Sequence, residues 1–77
     1  MKTLFSFVLP NPNRPEEVLV GTYKVFNDGE AVVFPKVREV ITVNKDSEPT
    51  EVIIGSIIKR YENEFKAEYS LNVQRVI

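Results

Sequence analysis

Apolar residues recur along this chain in two rhythms. Toward the C-terminal end, Phe65, Ala67, Tyr69, Leu71 and Val73 alternate without fault against Lys66, Glu68, Ser70, Asn72 and Gln74. A period of two predicts a half-buried strand. Just before it, over Pro49–Phe65, the rhythm lengthens. Set at 100° per residue, Ile53, Ile54, Ile57, Ile58, Tyr61 and Phe65 share an arc of roughly 140°, the apolar stripe of an amphipathic helix. Glu51, Gly55, Ser56, Lys59, Arg60, Glu62 and Asn63 lie opposite, with Val52 the one large apolar residue among them. Such a stripe needs a sheet to lie on. The same stretch also has a strand reading, because Gly55, Ser56 and its β-branched residues make poor helix formers. Val52–Tyr61 and Phe65–Val73 would then form a hairpin around Glu62-Asn63-Glu64, and the fold would be a small all-β barrel. The helical arc is better populated than either strand face, so the helix is the preferred reading.

The sheet for that helix is written upstream. Thr3–Leu9 is short, apolar and ends at Pro10, which favours a strand. Three prolines within Pro10–Pro15 remove three backbone donors and stiffen a connection. Val18–Phe26 reads as a second strand, and Asn27-Asp28-Gly29 as the turn of a type I′ hairpin. That turn would pair Val25 with Val32 and Tyr23 with Phe34. Pro35 bends or bulges the return strand, and Val37–Val43 continues it. Asn44–Glu48 is a polar turn, with Ser47 or Thr50 placed to cap the helix near Pro49. Asn63 suits its end. The predicted architecture is α+β: one domain over residues 1–77 in the order β-β-β-α-β, a largely antiparallel sheet with a single helix across one face.

Composition narrows the chemistry. Seventy-seven residues with 43% apolar and 27% charged side chains make one globular domain with a thin core. The net charge of −1 exerts no global pull on nucleic acid or anionic lipid. Cysteine, histidine and tryptophan are all missing, which removes disulfides, finger-type zinc sites and every nucleophile that relies on an imidazole base. The apolar start Leu4–Leu9 is cut short by Pro10 with no cleavage signal after it, so it reads as a strand and not a secretory leader. No run approaches the roughly 18–20 apolar residues of a membrane span. A cytoplasmic setting follows, in the host cytoplasm if the source is viral.

Candidate sites are few. Of the eleven carboxylates, only Glu39 stands within an apolar run where burial would tune it for proton transfer, and pairing with a neighbouring cation explains it as well. The oxygen-rich groups Asn27, Asp28, Glu30 and Asp46, Ser47, Glu48 lack the spacing of a calcium loop, and turn chemistry accounts for both. Pro12-x-x-Pro15 has the minimal form of a polyproline ligand, but Glu16-Glu17 follow it, and a stiff connection is the plainer reading. On the helix reading, Val52, Gly55, Ser56 and Lys59 form a shallow exposed patch where another chain can approach closely. Lys24, Lys36, Arg38 and Lys66, interleaved with aromatic rings on the free sheet face, form the nucleic-acid alternative. A solvated face of mixed charge explains the same four residues. The expectation is a non-enzymatic protein-interaction module, self-associating and without metal or cofactor, with nucleic-acid binding second. Its size and its missing Cys, His and Trp resemble the style of small accessory or regulatory proteins of phages and mobile elements.

Overall fold

A computed structural model describes residues 1–76. They form five strands and no helix: β1 (Lys2–Asn11), β2 (Arg14–Phe26), β3 (Val40–Lys45), β4 (Glu48–Glu62) and β5 (Lys66–Arg75). One sheet holds them in the order β2-β1-β5-β4-β3. Every neighbouring pair is antiparallel except β1 and β5, which run parallel at its centre. The sheet curls until its edge strands, β2 and β3, meet again. The fold is an all-β half-barrel, the alternative of the two sequence readings, and α+β is overturned. Among the described residues no helix is long and apolar enough to cross a membrane.

The helical signal at Pro49–Phe65 has a physical explanation. Two β-bulges interrupt β4: Gly55 is the extra residue between the pairs Ile54–Val73 and Ser56–Asn72, and Arg60 between Lys59–Tyr69 and Tyr61–Glu68. Each bulge adds one residue to a period of two. Inward positions therefore fall at Val52, Ile54 and Ile57, and outward ones at Ile53, Ser56, Ile58 and Tyr61. The step of three that each bulge creates, Ile54 to Ile57 and Ile58 to Tyr61, is one that a helical face also makes. The isoleucines that share one arc of a helical wheel are in fact divided between the two faces of a strand.

Alternation elsewhere reads true. Thr3, Phe5, Phe7 and Leu9 of β1 point inward, as do Ala67, Leu71 and Val73 of β5. They meet Phe26, Ile41, Val43, Val52 and Ile54 in one core. Phe5 is its hub, lying edge-on to Phe26 (6.0 Å) and Phe34 (5.5 Å) and stacked on Tyr69 (5.3 Å). Gly21 lies beneath the Phe7 ring, and a β-carbon there would stand 2.8 Å from it. Phe65, placed in the apolar stripe by sequence, is 72% exposed in the β4–β5 turn.

Turn geometry corrects the second expectation. The Asn27–Glu30 turn forms, but only Gly29 (φ 85°) has the positive φ that type I′ demands of both central residues. The chain does not return beside β2, and neither Val25–Val32 nor Tyr23–Phe34 pairs. Residues 27–39 instead cross the wide end of the half-barrel as an irregular strap, with Phe34 against Phe5 and Tyr69 and with Pro35 buried. The two-residue hairpin with both φ positive is Asp46-Ser47 (50° and 68°), between β3 and β4. The proline-rich connection is likewise shorter than its sequence suggests. Pro10 and Arg14 already belong to strands, and Asn11 Oδ1 accepts the Asn13 N–H at 2.9 Å to close the turn.

Two outcomes test this fold. Ile54→Ala leaves a cavity in the core and lowers stability by about 2–5 kcal/mol in urea denaturation, whereas Lys59→Ala on the exposed edge leaves the midpoint unchanged. Ser47→Gly relieves a left-handed non-glycine residue and raises stability by about 1 kcal/mol in the same measurement.

Candidate functional site

The strands sort the eight residues singled out from sequence into separate places. Val52, expected on an exposed helix face, is 0% exposed in the core. Its position opposite Ile41 and Arg75 faces it into the barrel. Gly55 and Ser56 stay near the surface, on the outer face of β4. There Asn72 Nδ2 donates to Ser56 Oγ at 2.9 Å, which ties the first bulge to β5. Lys59 stands exposed on the free edge of β4, hydrogen-bonded to Glu62 Oε1 at 2.9 Å. That bond, with the charge of Glu62 behind it, raises the Lys59 pKa. The contact patch drawn on a helix therefore does not exist as a unit, though Gly55 and Ser56 remain together.

The four cations of the nucleic-acid reading are also dispersed. Lys24 lies over the Phe26 ring, 5.7 Å from its centroid, at the lip of the strap. Lys36 and Arg38 belong to the strap itself. Lys66 is on the outer face of β5, 5.5 Å from the Tyr61 ring centroid and paired with Glu68 at 3.2 Å. No single face collects them.

The strap is built from two turns of one design. In the first, the Glu30 N–H donates to the Asn27 carbonyl (3.1 Å) while the Asn27 N–H donates to Glu30 Oε1 (2.9 Å). In the second, the Glu39 N–H donates to the Lys36 carbonyl (3.0 Å) and the Lys36 N–H to Glu39 Oε1 (2.9 Å). Both give a positive φ to their third residue, Gly29 in one and Arg38 (φ 75°) in the other, the position that a type II turn reserves for glycine. The Arg38 N–H donates to the Ile54 carbonyl at 2.7 Å, and the Ile54 N–H to the Glu39 carbonyl at 3.0 Å, so the strap continues β3 for one more step along β4. Glu39 thus acts as a turn cap, and burial together with its charge pushes the Tyr23 hydroxyl above its ordinary pKa, burial being the larger cause. Glu30 caps its own turn. Among the described residues no three acidic side chains gather as metal ligands would.

What sequence reasoning missed is the outer face of the sheet. Cross-strand register puts Leu4, Ser6 and Val8 of β1 beside Val25, Thr22 and Val20 of β2, and Ile58 of β4 beside Ser70 of β5. Val20 is 62% exposed, and Val18, Val25, Ile58 and Tyr61 are exposed with it. Between these apolar flanks runs a polar stripe on β5, Glu68, Ser70 and Asn72. The stripe, with Ser6, Val8, Val20 and Ile58, lines a shallow depression of about 450 Å³ in which Arg60 and Glu68 are the charged residues. Its signal was present in sequence as the apolar residues left over on the second face of each strand, but the helix reading hid Ile58 and Tyr61 in the core.

Compared with known proteins, the chain matches no family model, no curated protein and no solved structure.

The strained turn gives a direct check on the strap. Arg38→Gly removes the cost of a left-handed side-chain-bearing residue and stabilises the domain by about 1 kcal/mol in thermal or urea unfolding, while Arg38→Val destabilises it.

Proposed function

We propose that this protein is a non-enzymatic interaction module of the cytoplasm that associates through the outer face of its sheet, with a second copy of itself as the partner. The observation that carries the reading is the exposure of Val18 and Val20 on β2 and of Ile58 and Tyr61 on β4, on a face that no other described residues cover. Apolar area gathered on one face favours an interface, because covering it removes water from every residue at once. Charge favours a copy of the same face. The depression holds one cation, Arg60, and one anion, Glu68, so a two-fold arrangement can set each against its opposite in the partner. Two sheets packed face to face lie about 10 Å apart, with interdigitating side chains between them.

The free edge of β4 supports association less well. Beyond Ile54 it has no strand beside it on the β3 side, yet two bulges and the charges of Lys59 and Arg60 blunt it, the devices that keep edges from pairing. The nucleic-acid reading retains one cluster, Lys2 beside Lys66 with Tyr61. Its other cations lie elsewhere.

Size-exclusion chromatography with light scattering tests the proposal. The natural sequence runs as a dimer, whereas Val20→Lys and Ile58→Lys run as folded monomers with unchanged circular dichroism. A natural sequence that stays monomeric into the high micromolar range overturns it.

A further inference from the structure

The inward-facing positions of the strands change character at the narrow end of the half-barrel. Along β3, Ile41 and Val43 point into the core, and the next inward residue is Lys45. Along β5, Leu71 and Val73 do the same and are followed by Arg75, directly opposite buried Val52. Both cations line a cavity of about 170 Å³ whose apolar wall is formed by two cross-strand pairs of β1 and β2, Leu9 with Leu19 and Pro10 with Val18. Glu17 lines it too, but that carboxylate is held by Arg14 at 3.1 Å. Glu48 stands across the hairpin from Lys45 without an ion pair between them. Lys45 and Arg75 therefore converge on one opening, and among the described residues neither forms an ion pair. The opposite end is crossed by the strap, with Phe34 against Phe5 and Pro35 buried, and among the described residues this end has no equivalent strap.

We infer that the narrow mouth is a binding site for a carboxylate carried on a short aliphatic tail, the tail against Leu9 and Leu19 and the carboxylate between Lys45 and Arg75. Hydrogen bonds between ionised partners are shorter and stronger than neutral ones, and an arginine fork matches both oxygens of a carboxylate. The volume limits the guest. Cavities for whole small ligands begin near roughly 300 Å³, so this one admits a single branched side chain with its acid. Such a group occurs at the C-terminal residue of a polypeptide and in a free short-chain acid. The mouth does not involve Val20 or Ile58, although Val18 borders both surfaces, so Val20→Lys and Ile58→Lys test the outer-face association while Lys45→Gln and Arg75→Gln test this site.

Titration of ¹⁵N-labelled full-length protein with N-acetyl-leucine and with N-acetyl-leucine amide tests the site. The two probes differ only at the carboxyl group, which the amide leaves uncharged and with one acceptor oxygen replaced by a donor. The acid shifts the amide resonances of Leu9, Leu19, Lys45 and Arg75 saturably in the millimolar range, the amide does not, and the Lys45→Gln/Arg75→Gln variant binds the acid at least about tenfold more weakly. Lys45→Gln alone serves should the double variant unfold, and shows part of that loss. Titration with 4-methylpentanoate then separates the sources. Equal affinity assigns a free short acid, and binding by the peptide acid alone assigns a chain terminus. Equal shifts from acid and amide, undiminished binding by both variants, or no shift at all overturns the inference.

Discussion

A five-stranded sheet with no second layer has to bury its apolar face against itself. That constraint governs the rest of this molecule. The strands curl until β2 and β3 meet, and the interior so enclosed is filled by Phe5, Phe7 and Leu9 of β1, Leu71 and Val73 of β5, and Val52 and Ile54 of β4, with Phe26, Ile41 and Val43 from the edge strands. Strong curl requires local irregularity, which bulges supply by bending the strand and increasing its twist. The extra residues Tyr23, Gly55 and Arg60 are therefore structural members and not flaws in the pattern. Gly21 belongs to the same solution, because only a bare backbone fits beneath Phe7.

The curl also explains why the two ends differ. At the strap end β4 runs on past β3, whose pairing stops at Val40–Ile53. The strap crosses that end with one aromatic plug. At the narrow end the strands close upon each other, and the inward positions pass directly from aliphatic to cationic. Function, on the readings proposed above, attaches to the surfaces that the core leaves over: the outer valines and isoleucine, and the open mouth.

Legibility in the sequence followed the regularity of the strands. β5 was readable because it alternates without a bulge along its core-facing stretch, β1 because it is a short apolar run ending at a proline, and the polar turn over Asn44–Glu48 contains the observed hairpin turn Asp46-Ser47. β4 was misread because its two bulges convert strand spacing into an imitation of helical spacing. The β-branched run Thr50–Ile54, together with Ile57 and Ile58, held the contrary information, and there composition was the better guide than periodicity. Asp28-Gly29 misled for a different reason: its residues permit a hairpin, but the partner that β2 takes is β1, and turn chemistry cannot specify which strand lies alongside. The contact patch inherited the helix error through Val52. The outer face and the cationic mouth were beyond reach for a related reason, since both are assembled from several strands and depend on knowing the sheet order.

The parallel pairing of β1 with β5 has a kinetic side. The β1–β2 hairpin and the β3–β4–β5 meander each rest on near neighbours in sequence and can form as soon as their residues leave the ribosome. Joining them requires residues 2–8 to meet residues 66–72 across nearly the whole chain, a contact of high order whose loop-closure cost precedes any reward. The β1–β5 seam is thus the pairing with the highest entropic cost in the sheet, and until it closes Phe5 and Leu71 lack the neighbours that bury them.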